Sequence, residues 1–148
     1  YFIDKSIWKY LKYEIILYNN ILIITGENSF NSIEEKIFPL LDGKKYSIEK
    51  YNGECSYEHV DKILENSLNK KFDLILGIGG GKAIDTAKIA AFKLGIDIFT
   101  IPTIASTCSA TSALSVVYNN NGSFKEFFDF PYPPKKTFID LETIKTVF

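Results

Sequence analysis

Between Phe72 and Lys88 an apolar run, Leu74-Ile75-Leu76-Gly77-Ile78, leads into Gly79-Gly80-Gly81-Lys82 and then into an alanine-rich helical pattern. That order predicts a buried strand over 73–78, a tight turn, and a helix from Gly81 to Leu94 closed by Gly95 as C-cap. A glycine turn that opens a helix leaves backbone N–H groups directed outward, where the helix dipole favours an anion. The run is not a P-loop, which requires glycine where Leu76 stands and Ser or Thr where Ala83 stands. It is not the common dinucleotide fingerprint either, because Lys82 occupies the third glycine position. The physical logic holds without either pattern. Gly79, Gly80 and Gly81 permit close approach of a pyrophosphate, and Lys82 adds one positive charge. Asp85 lies one turn further along the same helix face and can accept hydrogen bonds from a ribose or carboxamide. The competing explanation is a turn selected for packing alone, with Lys82 solvated and Asp85 capping or paired.

The rest of the chain supplies the frame for this unit. Residues 4–18 read as a short helix running into a strand, and Asn19-Asn20 as a turn. Residues 21–25 form a buried strand closed by Gly26. Ser32 and Glu35 have capping-box spacing for a short helix that Pro39 disturbs. A strand follows over 46–51. Ser56 caps a helix to about Lys70, with Val60, Ile63, Leu64 and Leu68 on one face. Residues 96–101 form the next strand, stopped by Pro102. Residues 116–118 and 124 onward, around Asn119-Asn120-Asn121-Gly122, form a β-hairpin, and 137–139 a last short strand. Apolar strands alternating with helices predict an α/β, Rossmann-like open parallel sheet with helices on both faces, plus the hairpin.

Composition narrows the function classes. With 148 residues, a net charge of −1 and 46% hydrophobic content, the chain is one domain-sized unit and no electrostatic binder of nucleic acid or membrane surfaces. No apolar stretch reaches transmembrane length, and no signal peptide is evident. The two cysteines, Cys55 and Cys108, define no disulfide or metal framework, which makes a cytoplasmic location the default. All 17 basic residues are lysines, so no arginine can clamp a phosphate and an anion must be held by N–H groups, hydroxyls and lysine. Tyr1 and Phe148 read as cuts in a longer chain.

A second segment sharpens the assignment. Pro102 to Ser115 is crowded with Ser, Thr and Ala just past a strand's C-terminal end, where open parallel sheets bind ligands. Small hydroxyl residues there suit a neutral polyhydroxylated partner, or else close loop packing. Gly-Ile-Gly-Gly-Gly-Lys-Ala-Ile-Asp-Thr-Ala-Lys over 77–88, Pro-Thr-Ile-Ala-Ser-Thr over 102–107, Ser-Ala-Leu-Ser-Val-Val-Tyr over 112–118 and Phe138-Ile139-Asp140 together resemble the glycerol dehydrogenase branch of the iron-containing (group III) alcohol dehydrogenases.

The resemblance implies that residues 1–148 are the dinucleotide-binding domain, the N-terminal half of a longer enzyme whose C-terminal helical domain is absent here. It implies hydride transfer from an alcohol or polyol to NAD, with a divalent metal, zinc or iron, in the complete enzyme. Carried over by position, Gly79, Gly80, Gly81 and Lys82 hold the pyrophosphate, and Asp85 sits near the nicotinamide. Thr103, Ser106 and Thr107 line the adenine and ribose cleft, and Ser112, Leu114, Val116 and Tyr118 the nicotinamide pocket. Cys108 takes the place of an aspartate implicated in holding the polyol, and a thiol is a weak hydrogen-bond partner. Where many relatives carry an NAD-selecting aspartate this chain has Gly26, with Glu27 next to bond the ribose and repel a 2′-phosphate. The family's metal ligands, an aspartate and two histidines, belong to the C-terminal domain. The single histidine, His59, reads as a solvated helix residue, so no catalytic or metal-binding residue is assigned in this chain. The resemblance also leaves room for a homo-oligomer. A dehydroquinate-synthase-type lyase and a nucleotide-binding module without chemistry are the alternative readings.

Overall fold

The computed structural model describes residues 2–4, 7–104 and 108–147. The elements run β1 (Phe2–Asp4), α1 (Ile7–Glu14), β2 (Asn20–Gly26), α2 (Glu27–Asn31), α3 (Glu34–Ile37) and a 3-10 turn (Phe38–Leu41). They continue with β3 (Lys45–Tyr51), α4 (Tyr57–Asn66), β4 (Leu74–Gly79), α5 (Gly81–Leu94) and β5 (Asp97–Pro102). The last are β6 (Leu114–Tyr118), β7 (Phe124–Asp129), β8 (Lys136–Asp140) and α6 (Leu141–Val147). Among the described residues six parallel strands form one sheet in the order β1-β8-β5-β4-β2-β3, while β6 and β7 pair antiparallel as a separate hairpin.

The strands are apolar at successive positions because both sheet faces are covered. Ile21, Ile23, Leu74, Leu76, Ile78, Phe99 and Phe138 pack beneath α1, α2 and α3, with Ile7, Leu11, Phe30 and Ile37 facing them. Leu22, Ile24 and Ile75 point the other way, against Val60 and Ile63 of α4 and Ala87, Ala90 and Ala91 of α5. The hairpin closes that second layer through Val117, with Phe128 packed alongside. The small residues of α5 let it lie very close to the sheet. A Cβ added at Gly77 would stand 2.8 Å from the Ala87 Cβ.

Several local expectations hold and others are corrected. Ser56 caps α4, its hydroxyl accepting from the His59 amide at 3.2 Å. Gly95 closes α5 with φ of 69°. The Ser32–Glu35 capping box does not form. The Ser32 hydroxyl instead donates back to the Ser29 carbonyl, and Ile33 is the N-cap of α3 without a side-chain bond. Asn20 is the first residue of β2 rather than part of a turn. Helix α4 ends at Asn66, short of Lys70, so Leu68 is 69% exposed instead of joining the apolar face. His59 is not simply solvated, since its Nδ1 donates to the Glu54 carbonyl at 2.7 Å. Strand β1, three residues long, pairs in register with β8. No helix among the described residues is long and apolar enough to cross a membrane.

Candidate functional site

The chain turns outward from β2 to β3, then returns to the other side of β2 to place β4. The helices that follow these two neighbours lie on opposite faces of the sheet, α2 and α3 on one and α5 on the other. Such a reversal opens a crevice beyond the strands' carboxyl ends. A cleft of about 590 Å³ lies there. Its floor is Gly80, Gly81, Lys82 and Ala83, one wall is Gly26 and Ser29, and a second wall is Asn52, Gly53 and Cys55. Leu114, Val116 and Tyr118 of the hairpin, with Ile104, Cys108, Ser109 and Ser112, form the third. The hairpin is tied to the second wall by the Tyr118 amide, which donates to the Cys55 carbonyl at 2.8 Å.

The glycine turn holds its backbone close to its neighbours. Gly79 has φ of 143°, a conformation that L side chains rarely adopt, and a Cβ there would also meet Ala83 and Ser29 at 3.0 and 3.2 Å. A Cβ at Gly80 would meet the Ile104 side chain, its Cδ1 at 2.9 Å and its Cγ1 at 3.4 Å. Gly80 is the N-cap of α5 and has no side chain to cap it. The N–H groups of the first turn therefore face the cleft at the positive end of a 14-residue helix. Lys82 stands at the rim, 60% exposed at its side chain, and pairs with the Glu54 carboxylate at 3.0 Å.

Asp85 also reaches the cleft but is only 7% exposed. It accepts from the Ser109 hydroxyl at 2.5 Å and from the Val116 amide at 3.2 Å. Beneath it Lys88 is 3% exposed, with its ammonium 3.4 Å from Asp85 Oδ1. Burial lowers the Lys88 pKa, and the Asp85 charge works against that shift. Of the two thiols, Cys108 is exposed and Cys55 fully buried. Burial pushes the Cys55 thiol up to about 12, which removes it as a nucleophile.

The structure thus gathers Gly80, Gly81, Lys82, Asp85, Cys108, Ser112, Leu114, Val116 and Tyr118 around one cleft. Gly79 and Thr103 stand just behind it. The Thr103 amide donates to the Gly79 carbonyl at 3.0 Å, and its buried hydroxyl lies 3.4 Å from the Ser29 hydroxyl, so Thr103 braces the wall rather than lining it. Ser106 and Thr107 lie outside the described residues. Glu27, expected at the ribose, is exposed at the start of α2 and outside the cleft lining. Sequence reasoning missed the wall at Asn52, Gly53 and Cys55, and also Ser29, while Ser109 fell within the hydroxyl segment without being singled out. Only Gly53, with φ of 143°, left a trace as a glycine break before a helix cap. Among the described residues no group of three or more His, Cys, Asp or Glu side chains is placed to hold a metal ion. The arrangement is suited to binding an anion and an extended apolar-edged ligand.

Known proteins agree with this geometry. The model of the family described as iron-containing alcohol dehydrogenase matches residues 1–141. A glycerol dehydrogenase of Thermotoga maritima is 37% identical over 121 residues, covering 82% of this chain and 31% of that protein. A glycolaldehyde reductase of Halobacterium salinarum is 32% identical over 125 residues, covering 83% and 34%. The crystal structure of a probable glycerol dehydrogenase from Sinorhizobium meliloti superposes with a TM-score of 0.83 at 28% identity, over 96% of this chain and 39% of that one. The chain spans about a third of the length of the curated relatives it matches. With its parallel sheet, its glycine turn at the strand-order reversal and a family match along nearly its whole length, the chain belongs to the iron-containing alcohol dehydrogenase family.

Proposed function

We propose that this chain is the dinucleotide-binding domain of a two-domain dehydrogenase that oxidises a small alcohol or polyol. The observation that carries the reading is the glycine turn at the mouth of the β2–β4 crevice, where side-chain-free backbone and a helix N-terminus face one cleft. For NAD, Gly80 and Gly81 at the floor of the cleft would lie under the pyrophosphate, Gly79 would shape the turn behind them, and the Lys82 ammonium would lie at the edge. Ser112, Leu114, Val116 and Tyr118 offer a largely apolar wall to the nicotinamide, with Asp85 at the same end. NAD, when bound, supplies the hydride acceptor. The chain's own work is to hold and orient it and to keep water off one face.

The substrate faces Cys108, whose exposed thiol offers little to a hydroxyl, so glycerol is one member of the proposed class and not its definition. Relatives named for glycerol and for glycolaldehyde support a small oxygenated substrate. The described residues present no set of ligands that fits the divalent metal implied by the family. The family match favours this reading over a lyase or a module without chemistry. Two free thiols accord with a cytoplasmic setting.

Titration of the 148-residue chain with NADH, followed by nicotinamide fluorescence, tests the assignment. Saturable enhancement that ADP reverses is expected. A folded sample with no saturable signal overturns it.

A further inference from the structure

Lys88 is buried in the middle of α5, a position from which a lysine ordinarily reaches solvent. Its ammonium donates to the carbonyls of Ser109 at 2.7 Å, Ser112 at 3.1 Å and Leu114 at 2.5 Å, and lies 3.4 Å from the Ser112 hydroxyl. The Phe130 ring stands over it at 5.8 Å. All three carbonyls belong to the short segment that leads from the hydroxyl loop into β6, which is the third wall of the cleft. Asp85, one turn earlier, grips the same segment through Ser109 and Val116. The Ser115 hydroxyl donates to the Asp85 carbonyl at 3.1 Å.

A buried ammonium is a costly way to hold a fold together, because desolvation opposes it and an apolar side chain packs more cheaply. Here desolvation is the leading influence on the group, ahead of its attraction to Asp85. What the ammonium does that an apolar side chain cannot is fix three carbonyls of one loop at set distances from the helix that carries the glycine turn. We propose that Lys88 is a positioning residue, which sets the height of residues 109–116 over α5 and so shapes the nicotinamide half of the cleft. It touches no ligand and acts through Asp85 and the loop backbone. The inference rests on the dinucleotide reading above.

The two halves of the ligand separate the inference from a merely structural role. ADP engages the glycine turn and the adenosine side, whereas NAD also needs the hairpin wall. In the 148-residue chain, Lys88→Met is expected to weaken NAD about tenfold or more while ADP affinity stays within about twofold. Amide exchange at 109–116 should accelerate relative to that of α5 and the sheet. Should Lys88→Met fail to fold, Lys88→Gln removes the charge while keeping a polar donor at the same position, and a loss of about threefold in the NAD-to-ADP affinity ratio is expected. Parallel losses of NAD and ADP, or an unchanged ratio in a folded variant, overturn the inference. If the wild-type chain binds neither ligand, the dinucleotide reading itself fails.

Discussion

The closeness of α5 to the sheet, which aims the glycine turn at the cleft, hangs on one pair of small residues. In Gly77→Ala the new Cβ would stand 2.8 Å from the Ala87 Cβ, about 0.6 Å inside the 3.4 Å at which ordinary contact begins. The obstacle is a methyl fixed directly to the helix backbone, so no rotamer change relieves it. Helix α5 must move away from β4, although Ala87, Ala90 and Ala91 are almost wholly buried. Overpacking of this kind costs about 1–3 kcal/mol. Replacing glycine within a strand returns about 0.5–1 kcal/mol by restricting the unfolded chain. The net loss of about 1–2 kcal/mol corresponds to a fall in Tm of roughly 3–6 °C for a chain of this size. Urea denaturation monitored by circular dichroism reads it directly. The double-mutant cycle with Ala87→Gly isolates the contact, and removing the opposing methyl should recover about 1 kcal/mol beyond additivity. A neutral or stabilising Gly77→Ala, or strictly additive losses, would refute the reasoning.

Gly80→Ala probes the neighbouring residue with the opposite expectation. Its backbone is extended and the added methyl meets only the movable end of Ile104, so stability should stay within about 0.5 kcal/mol. ADP affinity measured by calorimetry should fall about tenfold or more, because the added methyl keeps a phosphate from closing on the N–H groups of the turn. Asp140 predicts a pH dependence. Burial pushes its carboxyl pKa up, but bonds from Thr143, Lys36, Trp8 and the Glu142 amide outweigh this and hold it below the ordinary 3.8. The stability it contributes is complete above that value and is lost as pH falls through the lower folded one. The urea midpoint should therefore drop as pH falls from about 4 through the lower folded pKa, and drop less in Asp140→Asn. The thiols should differ sharply. Cys108 should react with an aromatic disulfide reagent in the native chain and slow when NADH is bound, while Cys55 should react only after denaturation.

Much of this architecture was legible because its signals are local. The run 73–88 specified strand, turn and helix, and the Ser56 cap and the hairpin followed from equally short patterns. The failures mark where tertiary context decides. Ser32 has capping-box spacing from Glu35, but its hydroxyl is taken by the carbonyl of Ser29 within the preceding helix. Strand β1 is three residues long and exists only because β8 pairs with it. At the site, the glycine turn and the hairpin wall were visible, whereas the wall at Asn52 to Cys55 is assembled from a loop distant in sequence. Thr103 faces inward because its hydroxyl finds Ser29, across 74 residues of chain. The burial of Lys88 carries no sequence signal, since a lysine in a helix ordinarily reads as solvent-facing.

In the dinucleotide reading proposed above, a phosphate-bearing nucleotide sits on the N-terminal turn of α5. Backbone amide NMR of the 148-residue chain during titration with ADP tests it residue by residue. The largest saturable shifts should fall on Gly80, Gly81, Lys82 and Ala83, with smaller ones at Gly26 and Ser29. Saturable shifts that leave the glycine turn unmoved, or a titration with no shifts in a folded chain, would contradict it.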